Sequence, residues 1–228
     1  MNPFGQGEVL LINKPLNWTS FDVVRKIRNL VKIKKVGHAG TLDPLATGLL
    51  IVCTGKFTKR INEFMSAEKE YTGTITIGAT TPTYDLESLP ENFKDYSNIT
   101  TEQIHLNTIR FTGEIFQTPP IHSAIKKDGK RAYELARQGK EIELEPRKII
   151  IREFEITSTI LPEISFRVTC STGTYIRSLA NDFGVALGCG AYLSKLCRTR
   201  IGEFSVEQSM TMDETEKMIK QKLEKDAS

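Results

Sequence analysis

Apolar side chains in this chain change their spacing repeatedly, from every second residue to every third or fourth, without settling into a repeat, and this irregularity narrows the choice of fold. Glu8–Asn13 reads as a strand stopped at Lys14-Pro15, because proline cannot donate to a ladder. Val23, Val24, Ile27 and Leu30 then recur at helical spacing behind Thr19, with Asp22 three residues later as in a capping box. Leu49–Cys53 is short and wholly apolar, as a buried strand would be, and Tyr71–Ile77 alternates threonine with bulky residues. Asp85–Ser97 is rich in turn formers and reads as a surface excursion, followed by a helix over Glu102–Ile109. Lys148–Thr159 and Ile164–Cys170 form a candidate hairpin across Pro162, the second strand placing Ile164, Phe166, Val168 and Cys170 on one face. Helices are predicted over Tyr175–Leu187 and Asp213–Lys225. An alternation this irregular favours an α+β class over a doubly wound sheet.

The balance of 39% hydrophobic and 26% charged residues is that of an ordinary soluble globular chain. A net charge of +3 is only mildly basic, so any affinity for a polyanion must come from local clusters. Two such clusters stand out: Lys32–Lys35, and the segment Gln117–Lys140 with Lys126, Lys127, Lys130, Arg131, Arg137 and Lys140 among turn-forming prolines and glycines. That segment reads as an exposed insertion with a short helix near Ala132–Arg137. The four cysteines show no C-x-x-C spacing, which argues against zinc and for reduced thiols. No apolar run approaches the roughly 20 residues of a membrane span, and the first residues lack the layout of a signal peptide, so the cytoplasm is the expected location.

Chemistry concentrates in the loop Gly37–Gly48, which lies between the basic stretch and a buried strand. Asp43 precedes Pro44 and is flanked by Gly37, Gly40 and Gly48. Proline biases the aspartate away from helical dihedrals, and the glycines permit tight turns, so such a loop can present one carboxylate rigidly. Taken alone, the Asp-Pro step is equally an ordinary turn.

The string HAGTLDPLATG at 38–48 resembles the catalytic motif of the pseudouridine synthases of the bacterial tRNA T-loop type, the pseudouridine synthase B family. LLINKP (10–15), KEYTGTITIG (69–78), SAIKKDGKRAYELARQG (123–139) and CSTGTYIRSLANDFG (170–184) resemble further family motifs, in family order, over roughly Val9 to Gly202. The resemblance implies a mixed, mainly antiparallel sheet flanked by helices, with a basic RNA-binding thumb at about 117–145. It implies that the chain isomerises uridine 55 in the tRNA T-loop to pseudouridine, with no cofactor, no metal and no obligatory protein partner. Asp43 would be the attacking carboxylate, at C6 of the uracil or at C1′ of the ribose, kept ionised by Arg177. Tyr71 would stack on the base and accept the C5 proton, Tyr175 and Leu196 would hold the base, and His38 would fill the gap left by the flipped nucleotide. Lys14 and Pro15 would border and support the catalytic loop, and Lys126, Lys130, Arg131 and Arg137 would meet phosphates. The expected organisation is one catalytic domain over 1–228, with a helical tail at about 211–228 and no separate C-terminal RNA-binding domain. Two other readings remain at this point: a non-catalytic RNA-binding or tRNA-folding protein that keeps the fold, and a synthase acting on another RNA.

Overall fold

The computed structural model describes residues 2–123, 126–127, 130–131 and 144–227. In chain order its elements are α1 (Pro3–Gln6), β1 (Val9–Lys14), α2 (Ser20–Val31), β2 (Val36–His38), β3 (Ala46–Thr54), a 3-10 turn (Gly55–Arg60), α3 (Ile61–Ser66), β4 (Lys69–Ile77), α4 (Thr101–Arg110) and β5 (Gly113–Gln117). There follow β6 (Lys126–Lys127), β7 (Lys130–Arg131), β8 (Arg147–Ile160), β9 (Glu163–Cys170), α5 (Ile176–Leu187), β10 (Ala191–Ile201), β11 (Phe204–Ser205), a 3-10 turn (Val206–Gln208) and α6 (Met212–Ala227). They group into two compact units, Met1–Thr72 with Leu196–Ser228, and Gly73–Lys195.

In the first unit β3 is the central strand. It runs antiparallel to β1, from Val9↔Cys53 to Lys14↔Gly48, and parallel to the last part of β10, where Leu196 faces Ala46. One face of these strands, with Leu10, Ile12, Leu50 and Val52, packs on Val23, Val24, Ile27 and Val31 of α2 and on Met212 and Ile219 of α6. The other face, with Leu49, Ile51 and Cys53, packs on Phe64 and Ile201. A strand covered on both sides has no polar alternation to show, which is why its sequence is an unbroken apolar run. α2 begins where the sequence predicts: the Thr19 side chain accepts from the Asp22 N–H, and the Asp22 carboxylate accepts from the Thr19 N–H.

The second unit contains β9 and β8 as an antiparallel hairpin, with β5 on the far side of β8 and the second half of β4 beside β9. Ile164, Phe166, Val168 and Cys170 are all buried, as the alternation predicts. Phe154 meets Phe166 edge to face at 5.9 Å and Phe183 of α5 at 5.5 Å, and this seats the helix on the hairpin. β4 and β10 each pass from one unit into the other along the chain.

The class is thus α+β, with a mixed, mostly antiparallel set of strands flanked by helices. Two boundaries differ from the sequence reading. Val36–His38 pairs with Thr54–Val52 as a short strand, and Ala46–Gly48 extends β3, so the polar loop narrows to 39–45. Asp85 is not part of a surface excursion but is buried, for a reason given below. In the basic insertion Lys126–Lys127 pairs with Lys130–Arg131 as a small antiparallel ladder, whereas Arg137 and the helix expected near Ala132–Arg137 lie outside the described residues.

Candidate active site

The loop carrying Asp43 is fixed through its own backbone. Ser20, at the start of α2, clamps Leu42 from both sides: its Oγ accepts from the Leu42 N–H at 2.8 Å and donates to the Leu42 carbonyl at 3.1 Å. The Pro44 carbonyl accepts from the Asn17 N–H at 2.9 Å and from Lys14 Nζ at 3.3 Å, and the Ala46 N–H closes back on the Asp43 carbonyl at 3.1 Å. A backbone held at Asp43 and at the residues on either side of it fixes the point from which the half-buried Asp43 side chain projects.

Two buried cations brace this loop. Lys14 is fully buried at the end of β1, and its ammonium donates to the carbonyls of Pro15, Trp18 and Pro44. Burial pushes its pKa down to about 8; the nearby Asp43 carboxylate opposes that shift, and Arg198 adds to it. Arg198, on β10, is 1% exposed; Nε donates to the Leu49 carbonyl at 2.8 Å and Nη2 to the Gly40 carbonyl at 3.1 Å. The planar guanidinium therefore ties the body of β3 to the loop before Asp43. Gly48 makes the approach possible: its φ is +97°, and a Cβ there would lie 2.4 Å from the Arg198 carbonyl oxygen.

His38 ends β2, opposite Val52, and is half-buried. Burial, aided by the positive charge of Arg198, lowers its pKa against a backbone hydrogen bond at Gly40 that raises it. The imidazole is thus held toward its neutral form. Leu196 is half-buried on β10 beside Ala46, and its carbonyl accepts from Thr47 Oγ1 at 3.3 Å. Pro15 follows Lys14 and offers its carbonyl to that ammonium, and Tyr71 is buried on β4. The first unit therefore carries Lys14 at the end of β1 and Pro15 just after it, His38 at the end of β2, Asp43 in the loop before β3, Leu196 midway along β10 and Tyr71 on β4.

The second unit carries Tyr175 and Arg177 at the N-terminus of α5. Arg177 is buried; Nη1 donates to the Thr83 carbonyl at 3.1 Å, Nη2 to the His122 carbonyl at 3.0 Å, and Nε stands 3.6 Å from Asp85 Oδ2. This ion pair is why Asp85 is buried. The pairing is long-range, and its only local hint is a second Pro-containing turn ending in aspartate, T-P-T-Y-D at 81–85. Arg198 also escaped the sequence reading, since a charged residue inside a strand looks exposed. Among the described residues no helix is long and apolar enough to cross a membrane.

Comparison with known proteins puts this geometry in a family. The sequence model for the "TruB family pseudouridylate synthase (N terminal domain)" matches residues 28–176, and that for the "tRNA pseudouridylate synthase B C-terminal domain" matches 177–228. The second match starts inside α5; its residues up to Lys195 belong to one compact unit and the rest to the other. A tRNA pseudouridine synthase B of Flavobacterium johnsoniae is 56% identical over 212 residues, covering 90% of this chain and 93% of the relative. That of Parabacteroides distasonis is 50% identical over 228 residues, covering 97% of each. Among solved structures, a chain of a Cbf5-Nop10-Gar1 complex matches with a TM-score of 0.74 at 30% identity, over 94% of this chain and 54% of that one. By sequence and fold, this chain belongs to the TruB family of pseudouridylate synthases.

Proposed function

We propose that this chain isomerises one uridine of the tRNA T-loop, uridine 55, to pseudouridine, with Asp43 as the attacking carboxylate. The observation that carries the proposal is the bracing of the Asp43 loop at Gly40, Leu42 and Pro44 by Arg198, Ser20 and Lys14. A nucleophile that must attack, hold and release one ring gains most from a fixed approach geometry.

In this reading Arg177 is the guanidinium that keeps Asp43 ionised, since a positive charge favours the charged form of a carboxylate. Attack at C6 of the uracil or at C1′ of the ribose breaks the N-glycosidic bond. The detached base turns, C5 bonds to C1′, the covalent bond to Asp43 breaks to return the carboxylate, and the C5 proton leaves to Tyr71 as phenolate while N1 takes up a proton. Reactant and product have the same composition, so no oxidant or reductant is consumed. Tyr175 and Leu196 clasp the base while it is free, and neutral His38 fills the space it leaves in the RNA stack. Extrusion of the base costs a few kcal/mol, offset by phosphate contacts from the T-arm to Lys126, Lys130, Arg131 and Arg137 in the insertion. The enzyme acts in the cytoplasm as one catalytic domain.

The test is tritium release from tRNA transcripts labelled at uracil C5, with the modified position mapped, for the wild type and Asp43→Asn. Release from one T-loop uridine by the wild type, abolished in Asp43→Asn while tRNA binding persists, is the expected result. Release from ribosomal transcripts but not from tRNA would move the assignment to another RNA. No release from any RNA by folded protein would leave a binding protein that only keeps the fold.

A further inference from the structure

The helix that presents Tyr175 and Arg177 starts badly by ordinary rules. Tyr175 is its N-cap residue, where Ser, Thr, Asp or Asn is preferred, and it makes no side-chain capping bond. What holds Tyr175 comes from elsewhere in the second unit. Gln117, the last residue of β5, is 2% exposed, and its side-chain amide meets the Tyr175 backbone in a reciprocal pair. Its Oε1 accepts from the Tyr175 N–H at 2.8 Å, and its Nε2 donates to the Tyr175 carbonyl at 3.1 Å. The same carbonyl also takes the first helical bond, from the Leu179 N–H at 3.0 Å. An amide used this way mimics a neighbouring strand's peptide and fixes Tyr175 in both position and direction.

Gln117 does not act alone. The residues just after it are stitched to the same helix start: Ser178 Oγ donates to the Thr118 carbonyl at 2.8 Å, and Arg177 Nη2 to the His122 carbonyl. Tyr175, Arg177 and Ser178 are thus each bonded to the short stretch from Gln117 to His122, which leads into the basic insertion. Nothing in the chemistry assigned above uses Gln117.

We infer that Gln117 is a positioning residue for the reaction: its amide sets the placement of Tyr175 against the uracil, and so ties the root of the RNA-binding insertion to the face that holds the base. This rests on the function proposed above. A displacement of about an ångström in a base-holding residue can slow a reaction by roughly a hundredfold. Gln117→Leu preserves size but removes both hydrogen bonds, leaving the Tyr175 N–H without its partner. Gln117→Glu offers the same two bonds when its carboxyl is protonated, the O–H replacing the amide donor, and loses the donor when it ionises.

The experiment is single-turnover tritium release at saturating tRNA, with each variant's rate divided by the wild-type rate at the same pH, and thermal unfolding measured in parallel. Wild-type release comes first, since its absence would sink the proposed function rather than this inference. The expected result is a ten- to hundredfold slower Gln117→Leu, on the scale of that displacement, with tRNA affinity little changed. The Gln117→Glu ratio should climb toward one as pH falls. Wild-type rates in folded Gln117→Leu, or a Gln117→Glu ratio that stays flat with pH, would overturn the assignment. Should Gln117→Leu fail to fold, the pH course of Gln117→Glu decides alone.

Discussion

The Asp43 loop and the start of α5 solve the same problem in different ways. Each must hold candidate side chains where a regular element begins: Asp43 lies in the loop before β3, whereas Tyr175 caps α5 and Arg177 is its second residue. The Asp43 loop is braced by two buried cations and a serine, drawn from β1, β10 and α2. The start of α5 is held mainly by a neutral amide, a hydroxyl and Arg177 itself, all joining it to one neighbouring stretch. The first design concentrates positive charge beside the carboxylate, and so couples position to electrostatics. The second is nearly neutral apart from Arg177 and its Asp85 partner, and fixes geometry with little effect on charge. The loop should therefore answer to pH and charge substitutions, and the helix start to shape and hydrogen-bond substitutions.

The largest expected effect comes from Arg198→Met. It leaves the Gly40 and Leu49 carbonyls without their buried donor and should lower unfolding stability by about 2–4 kcal/mol. It also removes a positive charge near His38, so the imidazole should titrate at higher pH, as followed by NMR on a protein with only 3 histidines. A stability loss with an unmoved His38 titration would break the link between position and charge. Next is a matched pair of serines. Ser20→Ala orphans a buried N–H and should cost about 1–3 kcal/mol and slow turnover at saturating tRNA. Ser178→Ala removes one donor to the Thr118 carbonyl and should cost about 0.5–1.5 kcal/mol. Equal losses in denaturant unfolding would mean that the loop is no more tightly held than the helix start.

The smallest effect is also the most diagnostic. Lys14 loses its proton near pH 8 in the folded protein and near 10.5 in the unfolded chain. Below about 8 both states hold the proton and the group adds no slope. Between those values the unfolded chain binds more protons, so stability should rise with pH relative to Lys14→Met, by on the order of 1 kcal/mol near pH 9. Turnover should fall over the same window, because a neutral amine has one donor fewer for its carbonyls. Parallel stability curves for the two proteins would show that the buried lysine is not shifted.

Much of this was legible beforehand where the determinants are local. Thr19 and Asp22 announce the start of α2, and the alternation through Phe166 and Val168 marks a half-buried strand. The glycines and proline around Asp43 announce a shaped loop, and the resemblance drew attention to its carboxylate. What stayed hidden depends on distant partners. β10 is not legible as a strand, because Lys195, Arg198 and Arg200 interrupt its apolar pattern, although Arg198 is buried. Asp85 looked like a turn residue because its partner is 92 positions away in sequence, at Arg177 (177 − 85 = 92). Gln117 carries no signal at all in one sequence, since only the folded chain brings it to Tyr175.

Lys14 also donates to the carbonyl of Trp18, the single tryptophan of the chain. The protein's whole indole emission therefore arises on the bracket that holds Pro44, with no other chromophore of its kind to mask it. A change in the seating of the aspartate loop as RNA arrives has a native optical reporter, readable in stopped flow without adding a label.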